Sequence, residues 1–142
     1  IAFFGEKDYQ QLQVIKAMVT DLSMNVEVVG VPTMRHDDGL AMSSRNGYLT
    51  EAERATAPTI AHVLTHIKAQ IESGNRQFKQ LISEGNAELK EAGFKPDYIE
   101  IREAFTLQAA SFEDKELVIL GAATLADIRL IDNIEFCAKP LN

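Results

Sequence analysis

The sequence has 142 residues, 46% hydrophobic and 25% charged, with a formal net charge of −7, which suits a globular chain able to bury a core as one large or two small domains. This acidity, with a pI near 4.9, disfavours general nucleic-acid or anionic-membrane binding, because both depend on clustered Lys and Arg. A phosphate ligand is not excluded, since a few local donors bind one against an acidic background.

A single cysteine, Cys137, excludes an internal disulfide and points to a reducing compartment. It is expected as a buried or half-buried small hydrophobe. No run of 18 apolar residues and no signal-peptide pattern occurs in the sequence, so a cytoplasmic protein is expected. The chain opens at Ile1 directly into an apolar run, as expected of a piece of something longer.

Ile1-Ala2-Phe3-Phe4 before Gly5 predicts a short strand covered on both faces. Leu12, Ile15, Val19 and Leu22 then recur at helical spacing, predicting an amphipathic helix of about four turns. Ser23-Met24-Asn25 ends it, and Val26, Val28, Val29 and Val31 predict a second strand before Pro32. Strand, helix, strand is a βαβ unit with parallel strands. Two such strands and one helix leave a sheet uncovered, so further strands are expected, from earlier in the native chain in preference to a partner.

The turn after the first strand reads Gly5-Glu6-Lys7-Asp8-Tyr9-Gln10-Gln11. Ligands of open α/β sheets bind outside the carboxyl ends of strands, where helix N-termini offer free N–H groups. Gly5 lets a ligand approach the backbone, Lys7 offers a mobile charge, and Asp8 caps the helix or accepts from a ribose hydroxyl. Taken alone, Asp8 is more often only a cap and Lys7 only a solvated side chain. The second strand leads through Pro32-Thr33-Met34 into a polar segment from Arg35 to Thr50 with Gly39, Gly47 and the run Met42-Ser43-Ser44-Arg45. Adjacent hydroxyls followed by a guanidinium suit a polyanion held by backbone and side-chain donors. This loop is expected at the same sheet edge as Lys7.

Thr50 with Glu53 is a capping-box pattern and opens a helix. Ile60, Val63, Leu64, Ile67 and Ile71 continue at helical spacing to Gly74, with Pro58 expected to bend or divide the helix. Phe78, Leu81, Ile82 and Leu89 mark a second helix stopping at Gly93. His62 and His66 lie one turn apart without a third ligand, so they are read as surface or interface packing rather than a metal site. Strands are expected over 97–102, 116–123 and 127–136, with 117–120 central, as an antiparallel sheet packed on the two helices. Arg129 and Asp132 are expected to form a structural ion pair in preference to part of a rim facing the active site. Glu51, Glu53, Glu84, Glu88 and Glu91 read as solvated helix faces.

The turn from Gly5 to Gln11, then Val29-Gly30-Val31-Pro32-Thr33, Asp38-Gly39-Leu40-Ala41-Met42-Ser43-Ser44-Arg45-Asn46-Gly47-Tyr48-Leu49 and Arg129-Leu130-Ile131-Asp132-Asn133 together resemble the pantoate–β-alanine ligase (pantothenate synthetase) family over nearly the whole chain. The resemblance implies an adenylate-forming nucleotidyltransferase, related in its first domain to class I aminoacyl-tRNA synthetases. Met42-Ser43-Ser44-Arg45 stands where those carry a mobile Lys-Met-Ser-Lys-Ser loop. The implied fold is α/β followed by α+β. Residues 1–49 would be the C-terminal part of a Rossmann-like ATP-binding domain, and 50–142 a lid of two helices on an antiparallel sheet.

The implied reaction uses ATP and Mg²⁺ to convert pantoate to pantoyl adenylate with release of pyrophosphate, after which β-alanine attacks to give pantothenate and AMP. By position, Gly5, Glu6, Lys7 and Asp8 would contact ATP, with Lys7 on the phosphates and Gly5 and Asp8 near the ribose. Gln11 would bind pantoate, and Met34 would touch the nucleotide near adenine. Met42, Ser43, Ser44 and Arg45 would close over the phosphates. The implied catalytic groups are Lys7, Ser43, Ser44 and Arg45; neither serine is a nucleophile, and no residue is assigned to a metal. A homodimer, formed largely through the first domain, is also implied.

The family's His-x-Gly-His signature, first pantoate glutamine and acidic residues near the metal have no counterpart in the sequence, so the chain alone is expected to be inactive or nearly so. Two rival readings differ in class. A cytidylyltransferase-like enzyme would need the same histidine motif and leaves Gln11 and the α+β tail unexplained. A non-catalytic α+β interaction or dimerisation module would carry a loop that is polar by chance.

Overall fold

The apolar runs at the start of the chain pair as their composition predicts. In a computed structural model, whose described residues are 1–139, β1 (Ala2–Gly5) and β2 (Val28–Val31) run parallel, with Phe3 opposite Val29. Residues 140–142 of the expected second domain lie outside the described residues. A 3₁₀ turn, Glu6–Asp8, leads from β1 into α1 (Tyr9–Asp21), whose Tyr9 and Leu12 are buried. Gly30 of β2 admits this packing, because a Cβ there would fall 3.1 Å from Leu12 Cδ2. The expectation of a strand covered on both faces is not met within this chain: β1 alternates half-buried and exposed, and Phe3 is 67% exposed. A two-stranded sheet with one helix has nothing to lay against its other side.

Residues Ile1–Met34 form one compact unit, and a second begins at Arg35. Its helices are α2 (Glu51–Thr56), α3 (Thr59–Glu72) and α4 (Phe78–Glu91). The capping box forms in full, with Thr50 Oγ1 accepting from Glu53 N–H and Glu53 accepting from Thr50 N–H. Pro58 divides the first expected helix, standing as N-cap of α3 where its missing N–H breaks no helical hydrogen bond. Three helices therefore replace the expected two.

The sheet has the order β3-β4-β5, from β3 (Phe94–Glu103), β4 (Glu116–Leu125) and β5 (Ile128–Cys137), all antiparallel. β4 is central, and its Leu117, Val118 and Ile119 are fully buried. Ile99 and Ile101 of β3 join Ile60, Val63, Leu64, Ile67 and Leu89 in the core, as their alternation with Tyr98, Glu100 and Arg102 predicts. Leu64 lies over Gly121, where a Cβ would meet Leu64 Cδ2 at 3.2 Å. The bare glycine lets α3 approach the sheet. Among the described residues no helix is long and apolar enough to cross a membrane.

Two expectations are corrected by strand periodicity. Residues 129 and 132 are an odd number of positions apart, so their side chains leave opposite faces of β5. Arg129 pairs with Asp97 at 2.8 Å, and Asp132 pairs with Arg35. Cys137 is exposed rather than buried, since Phe136 takes the inward position beside it. Its thiol, hydrogen-bonded to Glu116 directly across the ladder, is pushed above its ordinary value by that carboxylate.

Candidate functional site

The expected site residues fall into two turns, one on each unit. In the first, Gly5 closes β1, Lys7 and Asp8 lie in the 3₁₀ turn, and Gln11 stands exposed on the first turn of α1. Asp8 occupies the N-cap position without a side-chain capping bond, so its carboxylate does not serve the helix. A Cβ at Gly5 would meet nothing within 4 Å, and its φ of −69° suits any residue. Open space at the backbone is therefore the whole of what the glycine supplies. Met34 is 67% exposed at the end of this unit.

The second turn is built from Arg35 onward. Arg35 and Ala41 form an isolated antiparallel bridge, and the reversal between them is closed by Gly39 N–H to His36 C=O and His36 N–H to Leu40 C=O. Gly39 sits at φ +93°, a conformation that favours glycine. Leu40 inserts into the hydrophobic core. Met42 then stands exposed, and Ser43 caps a 3₁₀ turn, Ser44–Tyr48, its Oγ accepting from Arg45 N–H. Because that Oγ acts as acceptor, its hydroxyl proton remains to be donated outward. Asn46 Nδ2 donates to Ala41 C=O and ties the turn to the reversal before it.

Arg45 is exposed and donates through Nη1 to the carbonyl of Arg129 at 3.2 Å. With Tyr48, Glu53, Ala126, Asp127, Ile128 and Arg129 it lines a cleft of about 640 Å³, within the size range of small-molecule sites. Asp127 lies in the two-residue connection between β4 and β5, where Ala126 adopts a φ of 54°. The Arg45 guanidinium and the Tyr48 hydroxyl can donate to a ligand in this cleft, beside the carboxylates of Glu53 and Asp127.

Arg35 is the root of this turn and was not legible as such. Its two terminal nitrogens meet both oxygens of Asp132 at 2.7 Å, and it also donates to the carbonyls of Gly39 and Asn133. The Asp132 side chain is fully buried, and its carboxylate holds the guanidinium above its ordinary pKa against the cost of burial. The available signal was a carboxylate at the same alternation in β5 as Leu130, Ile134 and Phe136, an inward position that demands a cationic partner.

An outer contact supports the same reversal. Arg54 Nη1 donates to Asp38 at 2.6 Å, Asp38 also accepts from Leu40 N–H, and His62 Nε2 lies 3.2 Å from the Asp38 carbonyl. The hydrogen bond from Arg54 holds the Asp38 carboxyl below the usual carboxylate range. A depressed folded-state pKa adds stability above the unfolded value, near 4, and loses it as pH falls through the folded one. Arg54→Gln is therefore expected to melt below the unsubstituted chain at pH 7, with the gap closing as pH falls below about 4. Melting temperatures from pH 7 to 2 check this; a constant gap rejects it.

Three or more His, Cys, Asp or Glu side chains grouped to hold a metal occur nowhere among the described residues. His62 and His66 have other contacts, to the Asp38 carbonyl and to Gln70.

A parallel strand pair with its helix, followed by helices on a three-stranded antiparallel sheet, is consistent with a nucleotidyltransferase domain and its lid. The chain belongs to the pantoate–β-alanine ligase family, whose model, described as Pantoate-beta-alanine ligase, matches residues 1–135. It is 54% identical over 134 residues to pantothenate synthetase of Pseudomonas putida (strain GB-1), covering 94% of this chain and 47% of that protein. To pantothenate synthetase of Shewanella baltica (strain OS223) it is 54% identical over 136 residues, covering 96% and 48%. Among solved structures, pantothenate synthetase from Thermus thermophilus superimposes with a TM-score of 0.86 at 40% identity, over 94% of this chain and 48% of that one. Pantoate-beta-alanine ligase from Francisella tularensis, complexed with beta-gamma ATP and beta-alanine, gives 0.61 at 32% identity, over 93% and 42%. The chain spans about half the length of the relatives it matches.

Proposed function

We propose that this chain supplies the phosphate-handling part of an ATP-dependent pantoate–β-alanine ligase, acting with sequence that its relatives carry outside the match. The observation that carries this reading is 54% identity to a pantothenate synthetase across 94% of the chain. A pantoate carboxylate oxygen attacks the α-phosphorus of ATP, the bond to the β-phosphate breaks, and pyrophosphate leaves. The amine of β-alanine then attacks the acyl carbon of pantoyl adenylate, loses a proton and displaces AMP.

Attack of one anion on another makes catalysis a matter of positioning and charge cancellation. Lys7 and Arg45 cancel charge on the phosphates, Ser43 and Ser44 donate to their oxygens, and Met42 closes over them. Gly5, Glu6, Asp8 and Met34 bind the rest of the nucleotide, and Gln11 binds pantoate. The Mg²⁺ expected with ATP finds no carboxylate cluster among the described residues, so no step is assigned through it. In this reading residues 1–49 serve ATP, 50–142 act as the lid, and the protein is a cytoplasmic homodimer.

The test is product analysis. The full-length protein given ATP, pantoate and β-alanine is expected to form pantothenate, AMP and pyrophosphate in equal amounts. Formation of ADP and phosphate, or a requirement for CTP, overturns the reading.

A further inference from the structure

Residues 35–41 contain none of the expected phosphate ligands, yet an ion pair with a fully buried carboxylate fastens them to β5. We propose that the Arg35–Asp132 pair is a positioning device, which fixes the Ser43-Ser44-Arg45 turn to the antiparallel sheet and so sets the angle at which the turn's donors meet the phosphates. This rests on the proposed reading of that turn as the phosphate grip.

The guanidinium is engaged on four acceptors, namely both Asp132 oxygens and the carbonyls of Gly39 and Asn133, and the Asp132 carboxylate takes a further bond from Asn133 N–H. An ion pair whose carboxylate gives up all its water, as Asp132 does, often adds no more stability than an apolar pair of equal volume. What it adds is direction: a bidentate fork fixes angle as well as distance. The fixed end is then coupled to the functional one. Arg35 bridges Ala41, whose carbonyl takes the Asn46 side chain, and Arg45 reaches the Arg129 carbonyl on the strand that holds Asp132. The turn is thus held to one strand at both ends. Small displacements of groups that meet a transition state are costly, with about 1 Å worth on the order of 100-fold in rate.

Arg35→Lys keeps the charge and removes the fork. In the full-length protein it is expected to lower kcat for pyrophosphate release about tenfold or more, raise KM for ATP and leave KM for β-alanine unchanged. In this background Arg45→Ala is expected to cost much less than it does alone, because the arginine is already misplaced. A lowered melting temperature with kcat intact, or full additivity of the two substitutions, overturns the proposal. Should Arg35→Lys fail to fold, the double variant Arg35→Gln/Asp132→Asn replaces the ion pair by facing amides and is read in the same way. A silent Arg45→Ala defeats the phosphate reading itself, and the positioning role with it. A slow Arg45→Ala beside a fast Arg35→Lys defeats the positioning role alone.

Discussion

Leu64→Ala is expected to destabilise the chain by about 3–5 kcal/mol, a large share of the roughly 5–15 kcal/mol that holds a domain folded. Leu64 is fully buried at the crossing of α3 and β4, and Gly121 beneath it has no side chain to fill the space a truncation would leave. Both neighbouring elements are hydrogen-bonded throughout, so the gap cannot close by collapse. Gly121→Ala alone places a Cβ 3.2 Å from Leu64 Cδ2 and is expected to cost about 1–2 kcal/mol through overpacking. In the double variant the added methyl enters the vacated volume, so the combined loss is expected to fall short of the sum by about 1 kcal/mol. Urea denaturation followed by circular dichroism checks all three values. A Leu64→Ala loss below about 1 kcal/mol, or strict additivity, rejects this contact as the keystone of the core.

Lys7→Ala and Arg45→Ala are expected to lower pyrophosphate release by the full-length protein about 100-fold or more. The melting free energy should change by no more than about 0.5 kcal/mol, since neither side chain is buried in the core. In the proposed reading each group offsets charge that concentrates on the leaving pyrophosphate, and a cation already in place does this with little reorganisation. Ser43→Ala removes a neutral donor and is expected to cost less than either. Parallel losses of stability and rate in the two charge variants would show that they act on the fold instead.

The fold was largely readable. Helical spacing from Ile60 to Ile71, the capping box at Thr50 and the alternation of Tyr98, Ile99, Glu100, Ile101 and Arg102 each report local physics, and each produced its element. Pro58 announced a break but not whether the helix would bend or divide. The residues of both turns stood out because polar, glycine-containing segments interrupt apolar runs. Their supports did not. Arg35 and Asp132 lie 97 residues apart, and Arg129 and Asp97 lie 32 apart; local pattern says which face a side chain takes but not which distant chain segment will meet it. Period two alone would have separated Arg129 from Asp132. The exposure of Phe3 follows from the count of elements, since two strands and one helix leave one side of the sheet bare, but the apolar run does not say what covers it.

The most direct measurement is exchange of labelled pyrophosphate into ATP by the full-length protein with pantoate present and β-alanine withheld. An adenylate formed at a phosphate grip containing Arg45 predicts rapid exchange that requires pantoate and is lost in Arg45→Ala. Exchange that appears only once β-alanine is added, or that Arg45→Ala leaves undiminished, contradicts it.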